Sequence, residues 1–282
     1  MELNNATSIL STLGHDGRLS VYRLLVRRGP VGARPGEMAA ALGLKPNTLS
    51  VYLAALEAAG LIHARRDGRA IHYSADMARM GALVDFLVAD CCRGRPDLCL
   101  APQDGAALKG RAMRETPFNV LFICSGNSAR SIFAEALLRD LGGDRFNAYS
   151  AGTAAFSTLN PFAVELLTRN GHDIAPLRAK SIAEFQTPEA PRMDFVFTVC
   201  DAAANEDCPP WPGQPVTAHW GLPDPVKQQG TEAEKSLAFA QTYARMRQRI
   251  QAFAALPLDQ LDKLSLQRHL DDIGRPITDD PA

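Results

Sequence analysis

The sequence predicts a two-part protein. A mainly helical first domain carrying a β-hairpin precedes an α/β domain built on a parallel sheet. Three observations carry that reading. The chain has 282 residues, long for one domain and comfortable for two. Helical apolar spacing dominates the first hundred residues. After a stretch rich in Ala, Gly and Pro it gives way to apolar β-type runs alternating with helical ones, and such alternation implies a parallel sheet with helices on both faces. The expected boundaries are 1–100 for the first domain, 101–117 for a linker, 118–260 for the second domain and 261–282 for a C-terminal tail.

Composition is that of a soluble globular chain, with 46% hydrophobic and 22% charged residues. No apolar run reaches the roughly 18 residues of a membrane span. Met1-Glu-Leu-Asn-Asn opens without a basic region ahead of an apolar stretch, so the expected location is cytoplasmic. The first hundred residues hold 12 Lys/Arg against 9 Asp/Glu and the rest 18 against 22, a mild basic bias in front. The six cysteines form two groups, Cys91, Cys92 and Cys99, then Cys124, Cys200 and Cys208. In a reducing compartment these point to metal binding or catalysis rather than structural disulfides.

Taking the first domain in order, helical spacing runs over 6–13 and 19–26, broken by Gly14 and by Gly29-Pro30. A third helix fits 36–42 and stops at Gly43. Pro46 suits a first turn, and a fourth helix over 47–59 closes at Gly60. Leu49, Leu53 and Leu56 mark its buried stripe, leaving Asn47, Thr48, Ser50, Val51 and Tyr52 facing outward. Two helices joined by a tight turn, with polar residues at the start of the second, form helix-turn-helix geometry. Over 61–73, two short strands flank Asp67-Gly68, a hairpin signal, with Arg65, Arg66 and Arg69 at the tip. This is either a wing that contacts phosphates or a solvated arginine turn. A last helix over 77–90 runs into Cys91-Cys92, with Cys99 beyond a Gly/Pro turn. Three thiolates suit a soft, three-coordinate ion better than the four-ligand closure of structural zinc; otherwise Cys91 and Cys92 are small buried residues.

Residues 6–99 resemble an ArsR-type winged-helix repressor, and Asp90-Cys-Cys-Arg-Gly-Arg-Pro-Asp-Leu-Cys99 resembles the arsenite-sensing segment of one branch of that family. The resemblance implies a homodimer on operator DNA. It implies release when the effector, trivalent arsenic, binds Cys91, Cys92 and Cys99. The recognition helix reads Ser50-Val51-Tyr52 where many relatives read Ser-Arg-His, which removes one guanidinium contact to groove or phosphate.

The second domain opens with an apolar run over 118–123 that ends in Cys124. It continues through Ser125-Gly-Asn-Ser-Ala-Arg130 and resumes as a helix over 131–140. Backbone N–H groups of such a loop converge, and the helix N-terminus adds positive potential. Ser125, Gly126, Asn127, Ser128, Ala129 and Arg130 therefore form a candidate seat for a tetrahedral oxyanion over the Cys124 thiol. Asn127 either fixes the shape of this loop or is a turn residue without further role. Strands are expected over 146–150 and 195–199, and helices over 161–169 and 236–255. Ligands of such sheets sit outside the carboxyl ends of the strands, and Cys124 and Cys200 both lie there. Cys208 follows on a short polar loop from which it could reach Cys200. Asp224, on the proline-stiffened stretch Trp220-Gly-Leu-Pro-Asp-Pro225, suits a proton donor.

Residues 118–255 resemble the thioredoxin-linked arsenate reductases of the low-molecular-weight tyrosine phosphatase fold. The matches are Cys-Ser-Gly-Asn-Ser-Ala-Arg-Ser at 124–131, Ser-Ala-Gly-Thr at 150–153, the Cys200/Cys208 pair and Asp224-Pro225. The resemblance implies that the loop and Arg130 hold arsenate, and that Ser131 helps keep Cys124 a thiolate. Catalysis then runs through Cys124, Arg130, Ser131, Cys200, Cys208 and Asp224. It implies no organic cofactor, with reducing equivalents from thioredoxin or another dithiol. The whole chain then reads as a bifunctional arsenic-resistance protein, reductase and arsenite-responsive regulator together. The alternatives are a phosphatase-like hydrolase with a regulatory domain and a non-catalytic oxyanion-sensing regulator.

Overall fold

Glycines and prolines punctuate the first helices where the sequence places them. The computed structural model describes residues 1–68, 70–91, 116–154, 158–206, 211, 215–261 and 263–275. The chain divides into two compact units, Met1–Ala112 and Met113–Ala282. The first comprises α1 (Leu3–Leu13), α2 (Asp16–Arg28), α3 (Pro35–Leu42), α4 (Pro46–Ala58), β1 (Ile62–Asp67), β2 (Ala70–Ala75) and α5 (Met77–Phe86). Gly43 ends α3 in the left-handed conformation, φ 63°, which glycine adopts without a Cβ penalty. Pro46 occupies the first turn of α4, where its missing N–H is not needed. Asp76 caps α5 by accepting from Arg79 N–H at 2.8 Å. Ile9, Leu24, Leu25, Met38, Leu49, Leu56 and Leu61 form a fully buried core. β1 and β2 pair antiparallel, with Asp67 opposite Ala70. The hairpin histidines bond within the unit: His63 Nε2 meets Ser74 Oγ at 2.9 Å and His72 Nε2 accepts from Arg34 Nε at 3.1 Å. Helix α5 passes into a π-helical stretch, Leu87–Cys91.

The second unit comprises β3 (Phe118–Cys124), α6 (Arg130–Leu141), β4 (Phe146–Gly152), α7 (Pro161–Arg169), β5 (Phe195–Thr198), α8 (Asp201–Asn205), β6 (Val216–His219), α9 (Glu232–Ala254) and α10 (Lys263–Gly274). Its sheet has the order β4-β3-β5-β6, parallel throughout. The chain leaves β3 towards β4 on one side, while β5 lies on the other. The C-terminal ends of β3 and β5 therefore flank a topological switch point, where open α/β sheets bind ligands.

Helix α6 is buried along most of its length, from Arg130 to Leu138. Ile132, Phe133, Ala134, Ala136, Leu137 and Leu138 are buried, and Phe133 meets Tyr243 of α9 edge-on, with ring centroids 5.6 Å apart. An aromatic group, Phe122, Phe197, Trp220 and Phe253, forms part of the same core. Phe197 and Trp220 stack at 4.1 Å.

Two expectations change here. Residues 216–219 form a fourth strand, and 261–282 is not simply a tail, since α10 lies within it. Leu266 and Leu270 are buried in the main core. The Trp220 indole N–H donates to Leu270 O at 2.9 Å, and Arg249 donates to Gly274 O at 3.1 Å. Without α10 these buried donors would lose their acceptors. Among the described residues, no helix is long and apolar enough to cross a membrane.

Leu270 is fully buried, so Leu270→Ala is expected to lower unfolding free energy by about 2–5 kcal/mol. Urea denaturation followed through tryptophan fluorescence measures this. A change indistinguishable from zero would mean α10 is not part of the core.

Candidate active site

The run 120–123 is buried, as a central parallel strand requires, and it carries Cys124 to the carboxyl edge of the sheet. The chain then turns through 125–129 and enters α6 at Arg130. Asn127 makes that turn with φ 47°, the one non-glycine residue with positive φ among the described residues. Asparagine tolerates this region better than most side chains.

Asn127 is completely buried and its amide is fully used. Nδ2 donates to Ser131 Oγ at 2.9 Å and to Ser150 Oγ at 2.8 Å, while Oδ1 accepts from Lys180 N–H at 2.6 Å. The loop is thus pinned to α6, to β4 and to the segment at 180. These three bonds are what a residue that fixes the loop's shape would make. Its own backbone N–H points at Cys124 Sγ, 3.2 Å away. Cys124 O, Ser125 O and Ser128 O accept from the N–H groups of Thr153, Ala154 and Asn160 at 2.9–3.1 Å.

Beneath this lies a layer that the sequence reading missed. Glu135 is buried and receives Lys180 Nζ at 2.9 Å, Arg139 Nη2 at 2.9 Å and the Ser150 hydroxyl. A lone acid inside the apolar run of α6 was a readable signal for it. Lys180 lies in an irregular segment and gave none.

Cys124 is buried, with Sγ 2.9 Å from Ser131 Oγ. Burial pushes its thiol pKa up, and nearby Cys200 adds to that. The Ser131 hydrogen bond and the Arg130 charge pull the other way without prevailing. The expected thiolate is therefore not favoured in this arrangement. A physical reason is that Arg130 is engaged elsewhere: Nη2 pairs with Asp224 Oδ2 at 2.8 Å and Nη1 donates to Leu222 O at 3.0 Å. Asp224 also caps the turn Pro225–Lys227, its Oδ1 accepting from Val226 N–H at 3.2 Å.

Cys200 follows β5, is buried, and heads α8, where its sulfur accepts from Ala203 N–H at 3.4 Å. Ser125 Oγ lies 3.5 Å from Cys200 Sγ. Cys124 and Cys200 are both free, buried thiols at the carboxyl ends of the paired strands β3 and β5. Within the loop Gly126, Ser128 and Ala129 are buried and Ser125 is half-buried. Cys208 lies outside the described residues.

In the first unit, Cys91 is exposed at the end of the π-helical stretch. Cys92, Cys99 and Arg69 lie outside the described residues. On α4, Asn47, Ser50 and Val51 are exposed, Val51 at 67%, and Thr48 is half-buried. Tyr52 is also half-buried, its ring packing on His15 at the start of α2 with centroids 5.1 Å apart. Arg65 and Arg66 are exposed on β1.

The family model for low molecular weight phosphotyrosine protein phosphatases matches residues 119–266, which contain the loop, both buried thiols and Asp224. The chain belongs to that family. The arsenate reductase of Bacillus licheniformis is 38% identical over 136 residues, 48% of this chain and 94% of the relative, so within this phosphatase family the chain belongs with the arsenate reductases. A solved arsenate reductase in its phosphate-binding state is 26% identical, covering 49% of this chain and 97% of its own, with a TM-score of 0.41. An ArsR-like transcriptional regulator from Rhodococcus sp. RHA1 is 22% identical, covering 34% of this chain and 87% of its own, with a TM-score of 0.30. At those TM-scores neither structural likeness adds to the family assignment.

In this phosphatase-family loop the backbone and side chain of Asn127 can be separated. Asn127→Gly keeps the left-handed turn and removes the three side-chain bonds. The expected result is a loss of about 1–3 kcal/mol of stability from orphaned partners together with weakened anion binding, read by urea denaturation and by phosphate titration. Unchanged phosphate affinity would reduce Asn127 to a turn residue.

Proposed function

We propose that the second unit reduces arsenate to arsenite through a thiol relay. The observation that carries this reading is the pair of free thiols at one sheet edge, Cys124 and Cys200, with Ser125 Oγ 3.5 Å from the second sulfur. A phosphatase needs only the first of them. Arsenate is a tetrahedral oxyanion and would sit on the backbone N–H groups of 125–130, with Arg130 turning to it from Asp224. Cys124 attacks arsenic, its thiol proton passing to an arsenate oxygen, and Asp224, freed from Arg130 and protonated from solvent, protonates the departing oxygen, which leaves as water. Cys200 then attacks the Cys124 sulfur. A sulfur–sulfur bond forms, the sulfur–arsenic bond breaks, and its electron pair stays on arsenic, which leaves as arsenite. Cys208 displaces Cys124 to give a Cys200–Cys208 disulfide, and an external dithiol such as thioredoxin reduces it. No step calls for an organic cofactor, and the cytoplasm is the compartment that keeps such thiols reduced.

Arsenate-dependent oxidation of thioredoxin tests the relay. Cys124→Ser, Cys200→Ser and Cys208→Ser are each expected to lower turnover by at least about a hundredfold, since each removes a sulfur that must be attacked or attack. Full turnover in Cys200→Ser would sink the relay. Hydrolysis of an aryl phosphate that survives Cys200→Ser, without arsenate reduction in the wild type, would favour the hydrolase.

For the first unit we propose arsenite-responsive DNA binding by a winged-helix homodimer. The support is α3 and α4 joined by Gly43-Leu44-Lys45, with Asn47, Ser50 and Val51 exposed, followed by a hairpin presenting Arg65 and Arg66. Leu3 and Leu10 of α1 and Met77 and Val84 of α5 are exposed apolar residues suited to a self-association surface. Cys91, Cys92 and Cys99 are proposed to bind trivalent arsenic. The chain should retard a fragment of its own promoter and release it on adding arsenite, with Cys91→Ser/Cys92→Ser remaining bound. Retardation of no promoter fragment would overturn this reading.

A further inference from the structure

Helix α8 has five residues, Asp201–Asn205. One turn fixes many dihedral angles for few hydrogen bonds, so a helix this short does not hold itself. Yet it carries Cys200 at its head and must keep that sulfur buried beside the loop. Its support comes from side chains on the sheet. His219, the last residue of β6, lies opposite Thr198 of β5 in the parallel register. The imidazole is buried and reaches in two directions, Nδ1 to Thr198 Oγ1 at 2.8 Å and Nε2 to Asp201 Oδ1 at 3.0 Å.

The proton positions follow from the partners. An ionised carboxylate only accepts, so Nε2 carries a hydrogen and donates to Asp201. In the neutral ring Nδ1 then accepts from the Thr198 hydroxyl. Two further features belong to the same device. A Cβ at Gly221 would lie 2.6 Å from His219 Nε2 and 2.9 Å from Asp201 Oδ1, so the residue beside the contact has no side chain. Beyond the far end of α8, Glu206 Oε1 accepts from Thr153 Oγ1 at 2.7 Å. The short helix is therefore tied on both sides to residues that follow or end the rigid strands β4 and β6.

We propose that His219 is a positioning residue for the second chemical step. Seated on Thr198, it holds Asp201 and so fixes the first turn of α8, with Cys200 aimed at the Cys124 sulfur. This rests on the reductase reading for its catalytic consequence, in which Cys200 forms the disulfide with Cys124 as arsenic takes the electron pair of the broken sulfur–arsenic bond. The Asp201 side chain is 62% exposed, so the contact can be cut from the solvent side without emptying the core.

Asp201→Ala is the test in the full chain, and Asp201→Asn is its control, because the amide oxygen still accepts from Nε2. In Asp201→Ala, alkylation of Cys200 by iodoacetamide, located by mass spectrometry, should rise about tenfold, the weight of one hydrogen bond to a charged group. Single-turnover formation of the Cys124–Cys200 disulfide with arsenate should slow by a similar factor, with the arsenate KM unchanged. Asp201→Asn should restore most of both. Wild-type alkylation and disulfide formation in Asp201→Ala would overturn the proposal, as would a raised KM at unchanged kcat. If the wild type forms no disulfide with arsenate, the reductase reading fails on its own, and the alkylation contrast still decides whether His219 holds the helix.

Discussion

The buried amide of Asn127 is the constraint on which the site depends. An anion loop must hold several N–H groups towards one point, an arrangement that exposes backbone polarity and resists ordinary packing. Here a left-handed residue makes the turn, and its side chain joins the start of the following helix to two segments distant in sequence. The same Ser131 hydroxyl that takes the amide hydrogen also touches Cys124 Sγ. Loop shape and thiol environment are therefore one hydrogen-bonded system. Below it, the Glu135–Lys180 pair holds Ser150 and the 180 segment in place. Such a pair contributes little net stability, but removing one partner leaves a buried charge without compensation. Its value lies in fixing where Asn127 finds its partners.

How much of this the sequence reveals depends on whether the cause is local. The strand, loop and helix around Cys124 lie in one continuous stretch, and the alternation of elements places Cys200 at the same sheet edge. Both were readable. Glu135 and Lys180 are separated by 45 positions, and nothing near Lys180 marks it. Strand β6 has four residues in a proline-rich region, too short for alternation to speak. Helix α10 follows a stretch that reads as a chain end, and its hold on the fold comes from the buried Leu266 and Leu270 and from the Trp220 and Arg249 hydrogen bonds. Periodicity put Tyr52 on the outer face of α4, but it cannot register that His15 of the same unit packs on that ring.

Arg130 connects these observations to the chemistry. Its two terminal nitrogens hold Leu222 O and Asp224, so the 220–225 stretch is drawn over the loop by the group that an oxyanion would also require. Arg249, from α9, grips the same stretch from the other side, donating to Trp220 O at 2.7 Å and Gly221 O at 3.2 Å. Burial lowers its pKa to about 10, which leaves it charged at neutral pH. The acid-bearing loop is thus suspended between a fixed guanidinium and one with two possible partners.

On the reductase reading, that arrangement makes arsenate binding an exchange rather than an addition. The anion and the Asp224 carboxylate compete for one guanidinium, so affinity reflects the difference between two ion pairs plus whatever the loop N–H groups supply. Because Asn127 holds the loop in shape beforehand, little ordering remains to oppose binding. The exchange also sets the order of events. Asp224 is released only when Arg130 has turned to the anion, so its carboxylate is free to take up a proton and pass it on only after the substrate is seated. Cys200 stays buried at the head of its short helix until the first sulfur–arsenic bond exists for it to break. On that reading one guanidinium and the thiols of Cys124, Cys200 and Cys208 would turn an anion seat into a site that moves electrons.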